Sequence, residues 1–507
     1  MNKILKFIFS RLFIVGFLIV LQISVIVVGV LILQKHFAYF YLSCTVISIG
    51  LIFWLLSTKE NPSVKLPWAI VILVLPIFGG LLYLLFGHSV LSNKTVKKIK
   101  RANGLAEKDY PDDKETIQKI WEENPLIATH FNYIKNVTGM PAYQNTSCKF
   151  LNSGEMKFET LKQELKKAKK FIFLEYFIIE EGLMWDSILD ILVEKVKEGI
   201  EVRVMYDDVG SLQTLPSLYN LKLESMGIKC IVFNPFRPAL AISMQNRDHR
   251  KIAVIDGNVG FTGGINLADE YINAYKKHGH WKDCSVMLKG DGVYGLTLLF
   301  LEMWNSTRPE DNDFSIFKNT ISETSDGYIQ PYGDSPHDSE YVGENVYLNI
   351  INSSYKYLYI CSPYFIVDNE VITALTSASK RGVDIRIVTP HIWDKYYVHI
   401  LTRSFYPQLI RAGIKVYEYT PGFIHSKTFV ADDKIATVGT VNLDYRSLYH
   451  HYECGVLMYE NQACTEIKND FLSFLPECEE MTYEKSVKAP IHKRLLRGFL
   501  RLFAPLM

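Results

Sequence analysis

Residues 248–266 read DHRKIAVIDGNVGFTGGIN. His249 stands two residues before Lys251, Asp256 follows five later, and Gly263 and Asn266 come after it. The central KIAVID has the apolar, β-branched character of a short strand, and the glycines mark a turn. Residues two apart on a strand face the same side, so His249 and Lys251 project together. By itself this describes a strand with polar ends in any α/β protein. The rest of the chain excludes that reading, because it contains the pattern twice.

Residues 424–442, IHSKTFVADDKIATVGTVN, repeat the polar spacing as His425, Lys427, Asp432, Gly439 and Asn442. Independent matches fix the register. KKFIFLEYFIIEEG (169–182) aligns with YKYLYICSPYFIVD (355–368), EGIEVRVMYDD (198–208) with RGVDIRIVTP (381–390), and MGIKCIVFNP (226–235) with AGIKVYEYTP (412–421). Each copy reads strand, helix, strand, helix, strand, which is an α/β layer unit. Two such units paired about a pseudo-twofold axis would set two imidazoles and two ammoniums around one cavity.

That set of groups suits phosphoryl chemistry. Lys251, Lys427, Asn266 and Asn442 can hold a phosphate's nonbridging oxygens without a metal. One histidine can attack phosphorus and form a covalent intermediate, and the other can protonate the leaving alkoxide, then deprotonate the incoming alcohol. Imidazole titrates near neutrality, which suits it to both tasks. Each ring also needs its second nitrogen held, and the candidates are Asp283 in HWKDCSV and Glu453 in HHYECGV. Asp256 and Asp432 belong to the motif but sit at turn positions, where holding the loop is the competing role.

Bulk properties narrow the setting. The 507 residues carry 55 Lys and Arg against 54 Asp and Glu, a net charge of +1, so composition does not argue for nucleic acid. Eight cysteines are scattered without a C-x-x-C pair, which fits a reducing compartment. His278 and His280 resemble a zinc pair only in isolation. Residues 12–33 and 37–57 each run about 20 residues without a charge, the length of a membrane span. The run at 66–87 is interrupted by Pro76 and Gly79-Gly80 and reads as re-entrant or spanning. Lys3, Lys6 and Arg11 before these runs, and Lys94, Lys97, Lys98, Lys100 and Arg101 after them, fit two spans with both clusters in the cytoplasm. Residues 486–507 end in a helical repeat of Leu495, Leu496, Phe499, Leu500 and Phe503 with Arg494, Arg497 and Arg501 on another face. That pattern serves a helix on an anionic lipid surface, or one docked on the protein's own core.

With these residues in view, the chain resembles the phospholipase D superfamily, whose signature is H-x-K-x4-D followed by Gly and Asn. It resembles most the bacterial cardiolipin synthases, through YDDVGS (206–211), NRDHRK (246–251), GDSP (333–336), PYF (363–365) and NLDYRS (442–447). The resemblance implies duplicated phospholipase D-like mixed-sheet α/β domains, at 146–315 and 320–485. A membrane anchor of N-terminal transmembrane helices at 1–90, a basic lead-in at 91–145 and the tail at 486–507 complete the expected organisation. It implies a multi-pass protein of the bacterial plasma membrane with cytoplasmic catalytic domains. The implied reaction condenses two phosphatidylglycerols into cardiolipin and glycerol through a phosphatidyl-histidine, with no cofactor and no required metal. His249, Lys251 and Asp256, with His425, Lys427 and Asp432, would be the catalytic set, with His249 as nucleophile and His425 as acid and base; the sequence itself does not order the two histidines. Thr440 stands where the family commonly has serine, and His451-Tyr452 where it more often has Asn-Phe. A hydrolase using water, or a phosphatidyltransferase acting on phosphatidylserine or phosphatidylethanolamine, shares the same motifs. A catalytically silent scaffold would be expected to lose a histidine or a lysine, and all four are present.

Overall fold

A computed structural model of the chain describes residues 24, 27–28, 37–58, 61–74, 79–86, 93–235, 246–338, 340–488 and 490–506. The chain divides into two compact units. One comprises Met1–Leu91, Pro235–Asn246 and Pro505–Met507, the other Ser92–Asn234 and Arg247–Ala504.

In the first unit the expected span at 12–33, like Lys3, Lys6, Arg11 and Pro76, lies outside the described residues, apart from Ser24, Val27 and Val28. The second span is the helix Phe37–Ser57, 21 residues long. The third run is two helices, Pro62–Val74 and Gly79–Phe86. A Cβ on Gly79 would lie 2.2 Å from the Val71 carbonyl oxygen, so glycine permits their close approach. Tyr83 seats between Trp54 and Trp68, with ring centroids at 5.8 and 5.4 Å. Among the described residues no helix is long and apolar enough to cross a membrane.

The second unit carries the duplication. Its first half has β1 (Thr146–Leu151), β2 (Phe171–Tyr176), β3 (Glu201–Asp207), β4 (Lys229–Phe233), β5 (Lys251–Ile255), β6 (Val259–Gly263), β7 (His280–Lys282) and β8 (Ser285–Gly290). Its second half has β9 (Tyr328–Asp334), β10 (Tyr357–Cys361), β11 (Phe365–Ile366), β12 (Asp384–Pro390), β13 (Lys415–Tyr419), β14 (Gly422–Ile424), β15 (Thr428–Ala431), β16 (Ile435–Gly439), β17 (Leu443–Asp444), β18 (Glu453–Tyr459) and β19 (Cys478–Glu480). Among the described residues these form a seven-stranded sheet in the order β1-β8-β6-β5-β2-β3-β4 and an eight-stranded sheet in the order β19-β13-β12-β10-β15-β16-β18-β9. Read from its other edge the second order repeats the first and adds β19.

Both sheets are mixed for the same reason. β2, β3 and β4 are parallel, as are β10, β12 and β13, because crossover helices join them. β5 and β6, and β15 and β16, are antiparallel because tight turns join them. The turn residues Asp256 and Asp432 take positive φ values of 54° and 56°. The central strands β2, β5, β10 and β16 are buried along their length, since helices cover the sheets, and this explains their unbroken apolar runs.

The halves meet through two short parallel pairings. β14 pairs with β7, setting Ile424 opposite Lys282, and Asp248 bridges Tyr452. Ile424 and Asp248 each precede a motif histidine, and Lys282 and Tyr452 each precede a candidate carboxylate. The two contacts are therefore copies of one another, as a pseudo-twofold requires.

Candidate active site

These pairings deliver each histidine to the acid of the other half. The His249 backbone N–H donates to the Tyr452 carbonyl at 2.9 Å, and that of His425 to the Lys282 carbonyl at 2.7 Å. His249 Nδ1 then lies 2.9 Å from Glu453 Oε1, and His425 Nδ1 lies 2.7 Å from Asp283 Oδ2. An Nδ1–H donated to a carboxylate leaves the lone pair on Nε2, the tautomer a nucleophile or base needs.

Each acid is seated by its own half. Glu453 is fully buried and accepts hydrogen bonds from the Thr440 and Ser447 hydroxyls. Burial would raise its carboxyl, but His249 and His451 hold it well below the usual range. At the matching position the first half has Gly264, where a Cβ would fall 2.1 Å from Asp283 Oδ1. Glycine there makes room for one acid, and threonine in the second half binds the other.

The lysines reach the same centre. Lys251 Nζ donates to the His249 carbonyl and Lys427 Nζ to the His425 carbonyl. Burial pulls the Lys251 ammonium down to about 8 and that of Lys427 to about 7, with Asp283 and Glu453 opposing the fall in both. Burial also lowers His249 to about 3 and His425 to about 4, so both rings are neutral at neutral pH. Lys251 acts on both imidazoles, which marks one electrostatic unit built from two halves. Phe177 stands edge-on to His249 at 5.0 Å, while Tyr271 and Trp281 flank His425 at 5.7 and 5.3 Å.

The motif aspartates, expected in the catalytic set with a loop-holding role in competition, make their contacts to backbone at the turns. Asp256 accepts from the backbone N–H groups of Lys169, Lys170 and Phe171 at 2.7 to 3.0 Å. Asp432 does the same for Tyr355, Lys356 and Tyr357 at 2.8 to 2.9 Å. Each clamps the start of β2 or β10, roughly 17 Å along the strand from its motif lysine at ~3.3 Å per residue. The asparagines differ from one another. Asn266 accepts from Ile178 N at 3.0 Å and donates to Tyr271 OH at 2.6 Å, so its amide is spent on structure. Asn442 keeps a buried Oδ1 with no hydrogen-bond partner.

Several contributing residues escape a motif reading. Asp207 of YDDVGS accepts from Asp248 N at 3.1 Å and so braces the residue before His249. Ser447 of NLDYRS orients Glu453. Lys157 is a third buried ammonium, drawn down to about 7 by burial and coupled to Asp283 and Lys251. It lies on the helix Gly154–Lys166, whose amphipathic pattern gives no hint of this. His451, Glu453 and His249 bring three donor atoms within 4.8 Å of one another, a grouping among the described residues with the spacing a metal ion would need. Glu453 is already engaged there by two hydroxyls and an imidazole. His278 and His280 join no such cluster, and His280 Nδ1 lies 2.9 Å from Tyr419 OH.

Comparison with known proteins agrees with this architecture. Residues 161–277 and 347–475 match the family profile described as cardiolipin synthase, PLD-like domain, and residues 46–88 match a phospholipase D-nuclease N-terminal profile. The chain is 44% identical to an uncharacterized protein of Streptococcus mutans over 90% of this chain and all of that one. It is 33% identical to a cardiolipin synthase of Halalkalibacterium halodurans, covering 92% and 93% of the two chains. Cardiolipin synthase 2 of Bacillus anthracis is also 33% identical, over 89% and 88%. Among solved structures, phosphatidylserine synthase of Haemophilus influenzae superposes with a TM-score of 0.56 at 15% identity, over 75% of this chain and 98% of that one, a likeness of fold.

Proposed function

Since the chain belongs to the cardiolipin synthase family of phospholipase D-like proteins, we propose that it transfers a phosphatidyl group from one phosphatidylglycerol to another, releasing glycerol. The observation that carries the reading is the crossed pair of histidines, each with Nδ1 fixed on the opposite half's acid.

In the first step His249 Nε2 attacks phosphorus and the bond to the glycerol oxygen breaks. His425 gives that oxygen its proton. In the second step the headgroup hydroxyl of another phosphatidylglycerol passes its proton to His425 and attacks the phosphatidyl-histidine, and the P–N bond breaks. Both rings rest neutral, so His425 takes up a proton from solvent as the anionic phosphate binds and favours the imidazolium, and the acceptor hydroxyl restores that proton in the second step. Lys251 and Lys427 hold the nonbridging oxygens, and Asn442 Oδ1 is a free acceptor for a hydroxyl of the lipid headgroup. Association with a bacterial membrane belongs to the same reading. Its support is the charge-free run at 12–33 and the helix Phe37–Ser57, where Leu42, Val46, Ile47 and Phe53 are exposed.

The test is incubation of the detergent-solubilised full chain with phosphatidylglycerol alone, with products separated by mass spectrometry. Cardiolipin and glycerol are expected. Phosphatidic acid alone would make water the acceptor and overturn the transferase reading.

The lysines set a pH dependence. Both are depressed in the folded site, so their charge is present at low pH and is lost as pH rises through the window from about 7 to about 8. Affinity for an anionic phosphodiester falls with that charge. KM for a short-chain phosphatidylglycerol should therefore rise at least about tenfold from pH 7 to pH 9. A flat KM over that range would show that the lysines do not hold the phosphate.

A further inference from the structure

An amphipathic helix in a soluble protein buries its apolar stripe and leaves its cations in water. The C-terminal helix Ile491–Phe503 docks through the buried Leu500 and through polar contacts of Arg497 and Arg501 at the edge of that contact, leaving part of its apolar stripe outside. Arg497 donates to the Ser486 carbonyl at 3.3 Å, Arg501 donates to Gln408 Oε1 at 3.0 Å, and the Arg501 guanidinium lies 4.3 Å over the Phe405 ring. Leu495, Leu496 and Phe499 are left 71%, 41% and 60% exposed. The helix packs on Tyr396–Arg403, which with the residues just before it leaves Trp393, Tyr396 and Tyr397 about half exposed. Apolar and aromatic side chains are thus presented together on neighbouring elements, a surface disfavoured in water and suited to a lipid interface.

Beside this rim lies an open pocket of about 550 Å³, lined by Thr376, Lys380, Ser404, Gln408, Arg411 and Arg501 among others. Three of its lining groups are cations and none is a carboxylate. The contacts of Arg411 and Arg501 are to neutral partners, the Tyr483 hydroxyl and the Gln408 amide oxygen. Three cations in one concavity without a neutralising acid form an anion site.

We propose that this pocket, on the outer side of the second sheet's helices, binds the phosphate headgroup of an anionic membrane phospholipid. The helix Ile491–Phe503 and Trp393, Tyr396 and Tyr397 sit in the interface around it. The combination selects the ligand: a free phosphate has no use for the apolar rim, and an acyl chain alone has none for the cations. A lipid carries both. The site is independent of the transfer chemistry, because it involves neither motif histidine and calls for headgroup charge without turnover.

The experiment places the full chain in phosphatidylcholine nanodiscs with and without phosphatidylserine, a non-substrate in the proposed reaction, and follows amide hydrogen exchange. Residues 393–412 and 491–503 should exchange at least about tenfold more slowly with phosphatidylserine present. The double variant Lys380→Gln/Arg411→Gln should erase that difference; it spares Arg501, which docks the helix. Unaltered phosphatidyl transfer in detergent would show that the variant is folded, and it scores separately from the lipid effect. Equal exchange in both discs, or protection that survives the double variant, would overturn the proposal. So would equal protection by inorganic phosphate in detergent, which would make the ligand a soluble anion.

Discussion

His249→Ala should lower cardiolipin synthesis on the order of 10⁴-fold or more, because without the nucleophile there is no covalent path. His425→Ala should lower it by about 10²–10⁴-fold, the usual worth of a general acid and base. The two losses look alike in a steady-state assay, yet they arise at different bonds, and a substrate that needs no acid separates them. A phosphatidyl ester of p-nitrophenol expels its leaving group unaided. With it, the His425→Ala protein should release a burst of nitrophenolate, one equivalent per active site, and then stall, since no base remains to activate the acceptor alcohol. The His249→Ala protein should release none. The opposite pattern would make His425 the nucleophile, and near-normal turnover by either variant would sink the shared-site reading.

The second large effect follows from the crossing of the acids. Glu453 lies in the second half, but its carboxylate holds His249 of the first, 2.9 Å from Nδ1. Glu453→Gln should therefore behave like His249→Ala, losing on the order of 10²–10⁴-fold with no nitrophenolate burst. Gln keeps the volume but can present its amide to the ring and favour the wrong tautomer. Asp283→Asn, in the first half, should behave like His425→Ala and keep the burst. The burst in the His425→Ala background checks the pairing: adding Asp283→Asn should leave the burst unchanged, because the ring that acid holds is already gone, whereas adding Glu453→Gln should suppress it. If Asp283→Asn abolishes the burst and Glu453→Gln retains it, each acid serves its own half and the crossed arrangement is wrong.

The motif aspartates show how far spacing alone carries. Their recurrence five residues after each lysine is plain in the chain, yet recurrence does not distinguish a reacting group from a structural one. The φ values of 54° and 56° and the three accepted backbone N–H bonds at each identify a clamp between a turn and the first residues of a central strand. Thr440 makes the complementary point. As a sequence feature it is a mild departure from serine, and in the fold its hydroxyl is one of two that orient Glu453. Lys157 left no local sign at all, because a buried lysine on an amphipathic helix reads as a surface lysine until the opposing sheet is known.

What the sequence determined by itself is local and periodic. The duplicated intervals required two equivalent α/β units, from which the two-histidine chemistry follows. The alternation that placed each histidine and lysine on one strand face does not hold, since His249, His425 and Lys427 stand just before β5 and β15 rather than within them. Tertiary structure decided which acid serves which histidine, that the motif aspartates bind backbone at the start of a central strand, and that the terminal helix buries Leu500 while exposing Leu495 and Leu496. Each depends on which distant strand or helix comes to lie alongside. His249 and Glu453, 204 positions apart, are the clearest case, and no local window of sequence contains both.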